Sequence, residues 1–214
     1  MLWFSTALDL LYPEDCPGCS RPADAGALCA FCATQMSRFL RPITPPPGIR
    51  TAWVLGGYDE FLGDLIRRGK YRPDPSVFRW LGERLGEASA HRLPRAEAVC
   101  WVPVPWRRRM RRGFDQAEQL ARPVASALGI PMLSALRRVT ATEQAGRMRH
   151  EREAGVRGAF EVERPFALLC PPPSDILLID DVVTTGATAR ACAEELLCGG
   201  ASRVHLLCVA SAQH

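Results

Sequence analysis

The chain has 214 residues, 47% of them hydrophobic and 23% charged, and its formal net charge is +4. This length allows one sizeable core with a small appendage, and the mild positive charge permits an anionic ligand without demanding a polyanion. No apolar stretch approaches the roughly 20 residues of a membrane span, so we expect no membrane insertion. The first nine residues carry no basic leader, so we expect no signal peptide and a cytoplasmic location with reduced thiols.

The first 41 residues predict a short N-terminal helix and a metal-binding module. Apolar side chains between Leu2 and Leu11 have the spacing of an amphipathic helix. Two C-x-x-C knuckles follow, Cys16-Pro-Gly-Cys19 and Cys29-Ala-Phe-Cys32. Four thiolates at this spacing suit tetrahedral Zn²⁺, which a reducing compartment favours over two disulfides. Because sulfur would fill every position, we predict a structural metal site with ligands Cys16, Cys19, Cys29 and Cys32.

A proline-rich segment, Pro42–Gly48, predicts a stiff linker and the boundary between two domains. We therefore divide the chain into a zinc module (residues 1–41), a linker (42–50) and a main domain (51–214). The main domain begins with a predicted strand at Thr51–Tyr58 and a helical pattern from Phe61 to Ile66. Arg67–Arg72 is predicted to be a basic turn, and a further helix is expected from Val77 to Ala90.

A second strong strand is predicted at Val99–Pro105, and a basic segment follows it directly. Five of the nine residues from Trp106 to Phe114 are arginines. Guanidinium groups match phosphate oxygens in pairs, so this position at a strand end suggests a highly charged anion such as pyrophosphate. A solvated helix start and a nucleic-acid patch remain alternatives. An amphipathic helix is expected next, from Ala117 to Leu128.

The most informative stretch is Ile176–Thr188. An apolar run, Ile176–Ile179, predicts a buried parallel strand, and Asp180 and Asp181 stand at its end. Thr-Thr-Gly-Ala-Thr then opens a helix, and Val204–Ala210 predicts the next strand. The amides of a helix start hold a phosphate well, whereas carboxylates accept hydrogen bonds from hydroxyls or hold a divalent cation. Together these groups describe a site for a ribose 5-phosphate. The alternative is a buried strand whose acids only cap the helix.

This stretch resembles the signature of type I phosphoribosyltransferases that binds phosphoribosyl pyrophosphate (PRPP). The resemblance implies an α/β fold with a parallel sheet flanked by helices. It also implies that Asp180 and Asp181 bind the ribose hydroxyls. The loop residues that would cradle the 5-phosphate are Thr184, Thr185, Gly186, Ala187 and Thr188.

Over nearly the whole chain the sequence resembles the ComF family of phosphoribosyltransferase-like competence proteins. The matching stretches are the paired C-x-x-C knuckles, Gly69-Lys70-Tyr71-Arg72, Val102–Pro105, Arg111–Gln116, Gln144, Gly158–Phe160 and Asp180–Thr188. One departure is Asp115, where the family usually has Asn. Arg137–Arg157 resembles the family's mobile basic segment, which is expected to close over the ligand.

The resemblance implies a Mg²⁺-dependent phosphoribosyltransferase, a glycosyltransferase, with PRPP as substrate and an unidentified acceptor. Asp180 and Asp181 would be its catalytic acids. The residues expected to neutralise the leaving pyrophosphate are Lys70, Arg107, Arg108, Arg109, Arg111 and Arg112. Two alternatives stay open. One is a non-catalytic component of DNA uptake that works with single-stranded DNA beside a competence helicase, and the other is a regulator that senses PRPP.

Overall fold

The computed structural model describes residues 16, 18–19, 21–22, 28–34, 39–58, 60–71, 74–90, 92–139, 159–163 and 173–212. The predicted N-terminal helix and most of the basic segment after Arg138 lie outside these residues. The helices are α1 (Ala30–Thr34), α2 (Glu60–Tyr71), α3 (Pro75–Ser89), α4 (Trp106–Arg112), α5 (Gln116–Leu128) and α6 (Ala187–Cys198). The strands are β1 (Arg41–Ile43), β2 (Thr51–Gly57), β3 (Ala98–Trp101), β4 (Leu136–Arg138), β5 (Phe160–Val162), β6 (Asp175–Val183) and β7 (Arg203–Ser211).

A five-stranded sheet in the order β1-β2-β7-β6-β3 forms the centre of the molecule. Strands β2, β7, β6 and β3 are parallel, and β1 joins the edge antiparallel to β2. Apolar side chains of β6 alternate between two buried clusters, one on each face of the sheet. Leu177 and Ile179 pack with α2, α3 and α5 on one face. Ile176 and Leu178 pack with α6 on the other face. The predicted parallel α/β fold is confirmed.

The carboxyl ends of the parallel strands meet at one edge of the sheet, where ligands dock in folds of this type. Strand β3 pairs with β6 as far as Trp101 and Ile179, so Asp180 lies just past that ladder. On its other side β6 continues to Val183, which is paired with Ser211 of β7. The predicted strand, which ended at Ile179, is therefore four residues too short because β7 keeps pairing with it.

The proline-rich segment is partly built into the sheet. Arg41–Ile43 pairs with β2 as an edge strand, where a proline costs no ladder hydrogen bond on its open side. The turn that follows is closed by the amide of Ile49, which donates to the carbonyl of Pro46 at 3.0 Å. The division of the chain into module, linker and main domain stays a prediction.

Two further expectations are corrected by the structure. Within the predicted basic turn at Arg67–Arg72, the residues from Arg67 to Tyr71 are the end of α2, and Arg72 lies outside the described residues. Gly69 lets this end of α2 pack closely against α3, because a Cβ there would lie 2.8 Å from Cε2 of Phe78. The sequence also predicts that the five cysteines outside the zinc module are small core residues. Cys100, Cys192 and Cys208 are buried, Cys198 is exposed at the end of α6, and Cys170 lies outside the described residues.

Within the part of the chain that the structure describes, every helix is too short or too polar to cross a membrane.

Candidate functional site

A shallow cleft opens at the carboxyl end of β6. Its lining includes Asp180, Cys208 and the whole run from Val182 to Ala189. Gly186 has φ 76°, a left-handed conformation that favours glycine. A Cβ on Gly186 would lie 2.6 Å from Cγ of Pro46, so the proline-rich segment packs directly against this loop. The predicted phosphate loop, Thr184–Thr188, thus forms one wall of the cleft.

The first turn of α6 faces this cleft. Among the described residues no side chain caps the helix start at Gly186, and the amide of Ala187 has only a 3.4 Å contact with Thr185 Oγ1. Thr184 and Thr185 are exposed, while Ala187 and Thr188 are half-buried. Such an arrangement leaves amides and hydroxyls available to an anion at the positive end of the helix dipole.

The two acids lie next to this loop and differ in environment. Asp180 Oδ1 accepts a hydrogen bond from the amide of Asp181 at 2.8 Å. Asp180 is half-buried and lines the cleft. Burial, and then the charge of Asp181, raise the pKa of Asp180 well above its usual range. The side chain of Asp181 is 8% exposed, and its Oδ2 lies 2.5 Å from Nζ of Lys70.

Helix α4 carries the five predicted arginines past the end of β3, and only part of the set faces the acids. Arg112 is half-buried, donates to Gln116 Oε1 at 2.8 Å and lies in electrostatic range of Asp181. Burial, and then the charge of Arg108, lower the pKa of Arg112. Arg109 instead pairs with Glu118 at 3.7 Å.

The remaining arginines of α4 point elsewhere or into solvent. The Arg107 guanidinium lies 5.9 Å from the centre of the Trp106 ring, and Arg111 is exposed. Arg108 is exposed too, and its charge acts on Arg112 and Arg138. Of the predicted pyrophosphate set, the structure therefore brings Lys70 into contact with the acid pair and Arg112 into electrostatic range of it.

Arg138 is a further candidate residue, which the sequence did not single out although it falls within the segment Arg137–Arg157 that is expected to close over the ligand. It lies in β4, paired with β5, and its guanidinium stands 5.0 Å from the centre of the Phe160 ring. Burial is the main cause that lowers the pKa of Arg138, and the charges of Arg108 and Asp180 also act on it. The sequence signal that distinguishes Arg138 from its neighbour is the alternation of side chains along a strand, which places adjacent arginines on opposite faces. Arg137 accordingly pairs with Glu161 on the outer side.

The four cysteines of the N-terminal module converge as predicted. Their sulfur atoms all lie within 4.8 Å of one another, and those of Cys19 and Cys29 are 3.6 Å apart. A tetrahedral zinc with Zn–S bonds of about 2.3 Å needs sulfur separations of about 3.8 Å, so the donor set fits this ion. A hydrogen bond from the backbone of Arg21 is the main cause that lowers the pKa of Cys19 to about 6. This favours the thiolate that a metal requires.

The backbone of the module is shaped for this convergence. A Cβ on Gly18 would lie 2.9 Å from the sulfur of Cys32, so only glycine lets the knuckles approach. The amide of Cys29 donates to the sulfur of Cys16 at 3.3 Å. Together with the sulfur geometry, these contacts support structural Zn²⁺ in the module.

Comparisons with known proteins agree with both parts of the molecule. Residues 7–46 match the family model of the double zinc ribbon domain. The chain is 31% identical over 202 residues to the DNA utilization protein YhgH of Salmonella typhi, covering 91% of this chain and 82% of that protein. It is 28% identical over 187 residues to competence protein F of Haemophilus influenzae, covering 81% and 80%.

A solved structure is also similar in part. The glutamine PRPP amidotransferase from B. subtilis, complexed with ADP and GMP, superposes with a TM-score of 0.41 and 24% identity. The match covers 61% of this chain and 25% of that enzyme.

Proposed function

Because the chain belongs to the ComF family of competence and DNA-utilization proteins, we propose that it binds PRPP with Mg²⁺ at the carboxyl edge of its sheet. We further propose that it transfers the phosphoribosyl group to an acceptor in a role linked to DNA uptake. The observation that carries the proposal is that Asp180 and an uncapped helix start line one cleft, with Asp181 next to Asp180 in the strand.

The 5-phosphate is assigned to the loop Thr184–Thr188. The amides of the first turn of α6 and the threonine hydroxyls donate to its oxygens, and the helix dipole favours its charge. Gly186 lets Pro46 pack directly against this loop, and its left-handed conformation forms the turn into α6. A residue with a side chain in place of Gly186 would lose both the close backbone approach and the left-handed turn.

The ribose hydroxyls are assigned to Asp180 and Asp181. Carboxylate oxygens are the donors that Mg²⁺ prefers, so the same pair fits the ion that accompanies PRPP. Mg²⁺, when bound, would offset charge on the pyrophosphate and on the acid pair. Asp180 and Asp181 lie side by side, and burial together with the charge of Asp181 raises the pKa of Asp180, so a cation beside the pair would be favoured.

The pyrophosphate is assigned to Lys70, Arg108, Arg112 and Arg138. In the reaction the bond between C1 and the pyrophosphate oxygen breaks, and its electron pair leaves with the pyrophosphate. Positive groups fixed around the departing oxygens stabilise that charge, which is the largest task in such a reaction. The acceptor's nitrogen then forms the new bond to C1.

Binding is tested by calorimetric titration of PRPP in the presence of Mg²⁺. We expect the wild type to bind and the Asp180→Asn/Asp181→Asn variant to bind about 100-fold more weakly, since hydrogen bonds to two charged groups are lost. A matched control is Glu83→Gln/Glu87→Gln, which makes the same charge change on the exposed face of α3. A wild type that does not bind PRPP contradicts the proposal.

Turnover is tested separately from binding. Nucleobases, amines and ammonia are offered as acceptors, and pyrophosphate release is measured. Release that depends on one acceptor class supports a transferase. Binding without release under every condition supports a regulator that senses PRPP.

A second function, association with single-stranded DNA, is favoured by the surface of α4. No residue of this helix is buried, and Trp106 and Met110 are 59% and 73% exposed beside the arginines. Exposed cations and a stacking ring suit a single strand. Oligonucleotide binding should weaken in Trp106→Ala and in Arg107→Ala/Arg111→Ala, and binding that these changes leave intact would count against this surface. For this second function we also propose that the chain works beside a helicase in DNA uptake.

A further inference from the structure

Lys70, which is assigned to the pyrophosphate, already forms an ion pair within the protein. Its ammonium group is in contact with Asp181, one of the two acids assigned to the ribose and its Mg²⁺, at 2.5 Å. Within the described residues no hydrogen bond reaches Oδ2 of Asp181, which is buried. The ion pair with Lys70 is therefore the direct compensation for that buried oxygen, and removing it without a substitute would leave a costly unpaired charge.

The backbone that carries Lys70 is fixed. Gly69 packs against Phe78 so closely that a Cβ would meet the ring at 2.8 Å, and Phe78 in turn packs against Phe114, with ring centres 5.8 Å apart. The side chain is different, because 24% of it is exposed and it ends on a flexible four-carbon stem. The Lys70 ammonium can therefore change partners while its helix stays in place.

The charges around the acid pair make such a change favourable only when a ligand arrives. A divalent cation between Asp180 and Asp181 supplies more positive charge than Lys70 and repels it. PRPP brings a pyrophosphate to the same edge of the sheet, where Arg112 lies in electrostatic range of Asp181. The ammonium then has a new anionic partner a short distance from the one it leaves.

We propose that Lys70 is an exchangeable counter-ion, which holds Asp181 while the site is empty and passes to the pyrophosphate when Mg²⁺ and PRPP bind. The inference rests on the proposed function for the identity of the ligand. Its distinctive consequence is that Lys70 opposes binding of a divalent cation alone and assists binding of the cation together with PRPP.

The test compares two titrations of the full-length, zinc-loaded chain. Free Mn²⁺ is followed by electron paramagnetic resonance without PRPP, and PRPP is titrated by calorimetry in excess Mg²⁺. In Lys70→Met we expect Mn²⁺ to bind about tenfold more tightly and PRPP about tenfold more weakly than in the wild type, since an opposite charge at this range shifts the affinity of a carboxylate for a cation by at least that factor.

Two further variants make the result interpretable. Arg67→Met removes a positive charge from the same helix, where Arg67 pairs with Asp64, and should change neither affinity by more than about twofold because exposed charges are screened. Lys70→Gln is used if Lys70→Met does not fold, because its amide can still donate to Asp181. The same opposite changes are expected of it.

Each outcome decides one point. Unchanged or weaker Mn²⁺ binding in both Lys70 variants overturns the exchange, even if PRPP binds well to the wild type and the proposed function stands. Tighter Mn²⁺ binding in the Lys70 variants of a protein that never binds PRPP supports Lys70 as the counter-ion displaced by the cation. In that case the proposal that fails is PRPP as the ligand.

Discussion

Arg138 shows how one side chain joins two parts of the candidate site. It extends from β4 over the ring of Phe160 in β5, and it lies within electrostatic range of both Arg108 in α4 and Asp180 in β6. A half-buried guanidinium in this position loses hydration, which a bound phosphate group would replace. We therefore expect Arg138 to contribute more to ligand binding than the exposed arginines of α4.

Replacing Arg138 by Met should weaken binding of PRPP with Mg²⁺ by about tenfold, because one charge-assisted contact is lost. Arg137→Met is the matched control, since Arg137 pairs with Glu161 on the other side of the same strand. Calorimetric titration measures both. Equal effects of the two substitutions would show that Arg138 has no special place in the site.

At the scale of the element, the buried side chain of Asp115 fixes the position of α5 against the end of β3. Its Oδ1 accepts from the amides of Ala117 and Glu118, at 3.0 and 3.3 Å, and its Oδ2 accepts from the amide of Val104 at 3.0 Å. Both oxygens must therefore be acceptors. An asparagine could cap the helix equally well, but its NH₂ group would face the N–H group of Val104.

Asp115→Asn should lower the free energy of unfolding by about 1–3 kcal/mol, the usual cost of leaving a buried donor without an acceptor. Asp74→Asn is the control, because Asp74 caps α3 through a single oxygen and Asn caps as well as Asp. Urea denaturation measures both. If Asp74→Asn lowered the free energy of unfolding as much as Asp115→Asn does, the role given to the hydrogen bond from Val104 would be refuted.

The amino ends of β6 and β7 are joined by an ion pair far from the cleft. Arg203 donates to both oxygens of Asp175, at 2.5 and 2.6 Å, and His205 Nε2 lies 3.3 Å from Oδ1. The hydrogen bonds from Arg203 are the main cause that holds the pKa of Asp175 below its usual value. A lowered folded-state pKa contributes stability above the unfolded value, near pH 3.9, and this stability is lost as pH falls below it.

Removing Arg203 should therefore matter at neutral pH and cease to matter in acid. We expect Arg203→Met to be less stable than the wild type at pH 6, and the difference in unfolding free energy to shrink as pH falls from about 4 to 2. Denaturation in urea at a series of pH values measures it. A difference that stays constant over this range would contradict the assignment to Asp175.

At the scale of the whole molecule, the zinc module and the sheet share one core. Cys16, Leu28, Cys32 and Leu40 belong to the same buried cluster as the side chains between the sheet and α2, α3 and α5. Loss of the metal would therefore disturb packing beyond the module itself.

We expect one zinc per chain, since residues 7–46 contain four cysteines and no histidine. Metal content measured by atomic absorption checks the ratio. Chelation, or Cys32→Ala, should lower the thermal midpoint of the entire chain by several degrees. A protein without zinc, or one whose midpoint is unaffected by chelation, would contradict this account.

The sequence predicted the parts of the molecule that depend on local pattern. The run Ile176–Ile179, the pattern from Ala187 and the spacing of the four cysteines contain enough information to indicate a strand, a helix and a metal site. The pairing of Lys70 with Asp181 depends instead on how distant segments pack, which no local pattern encodes. Strand alternation separates Arg138 from Arg137, but which of the two faces the acids also depends on packing. The same holds for Pro46, whose contact with Gly186 arises because β1 folds back onto the sheet.

The central claim is that one cleft holds a phosphoribosyl group at two points. A crystal structure of the chain soaked with PRPP and Mg²⁺ tests it most directly. We predict that the 5-phosphate lies within hydrogen-bond distance of the amides of residues 185–188, with the ribose hydroxyls and the ion beside Asp180 and Asp181. A ligand bound elsewhere at full occupancy, or a cleft that stays empty at saturating PRPP, would contradict the account.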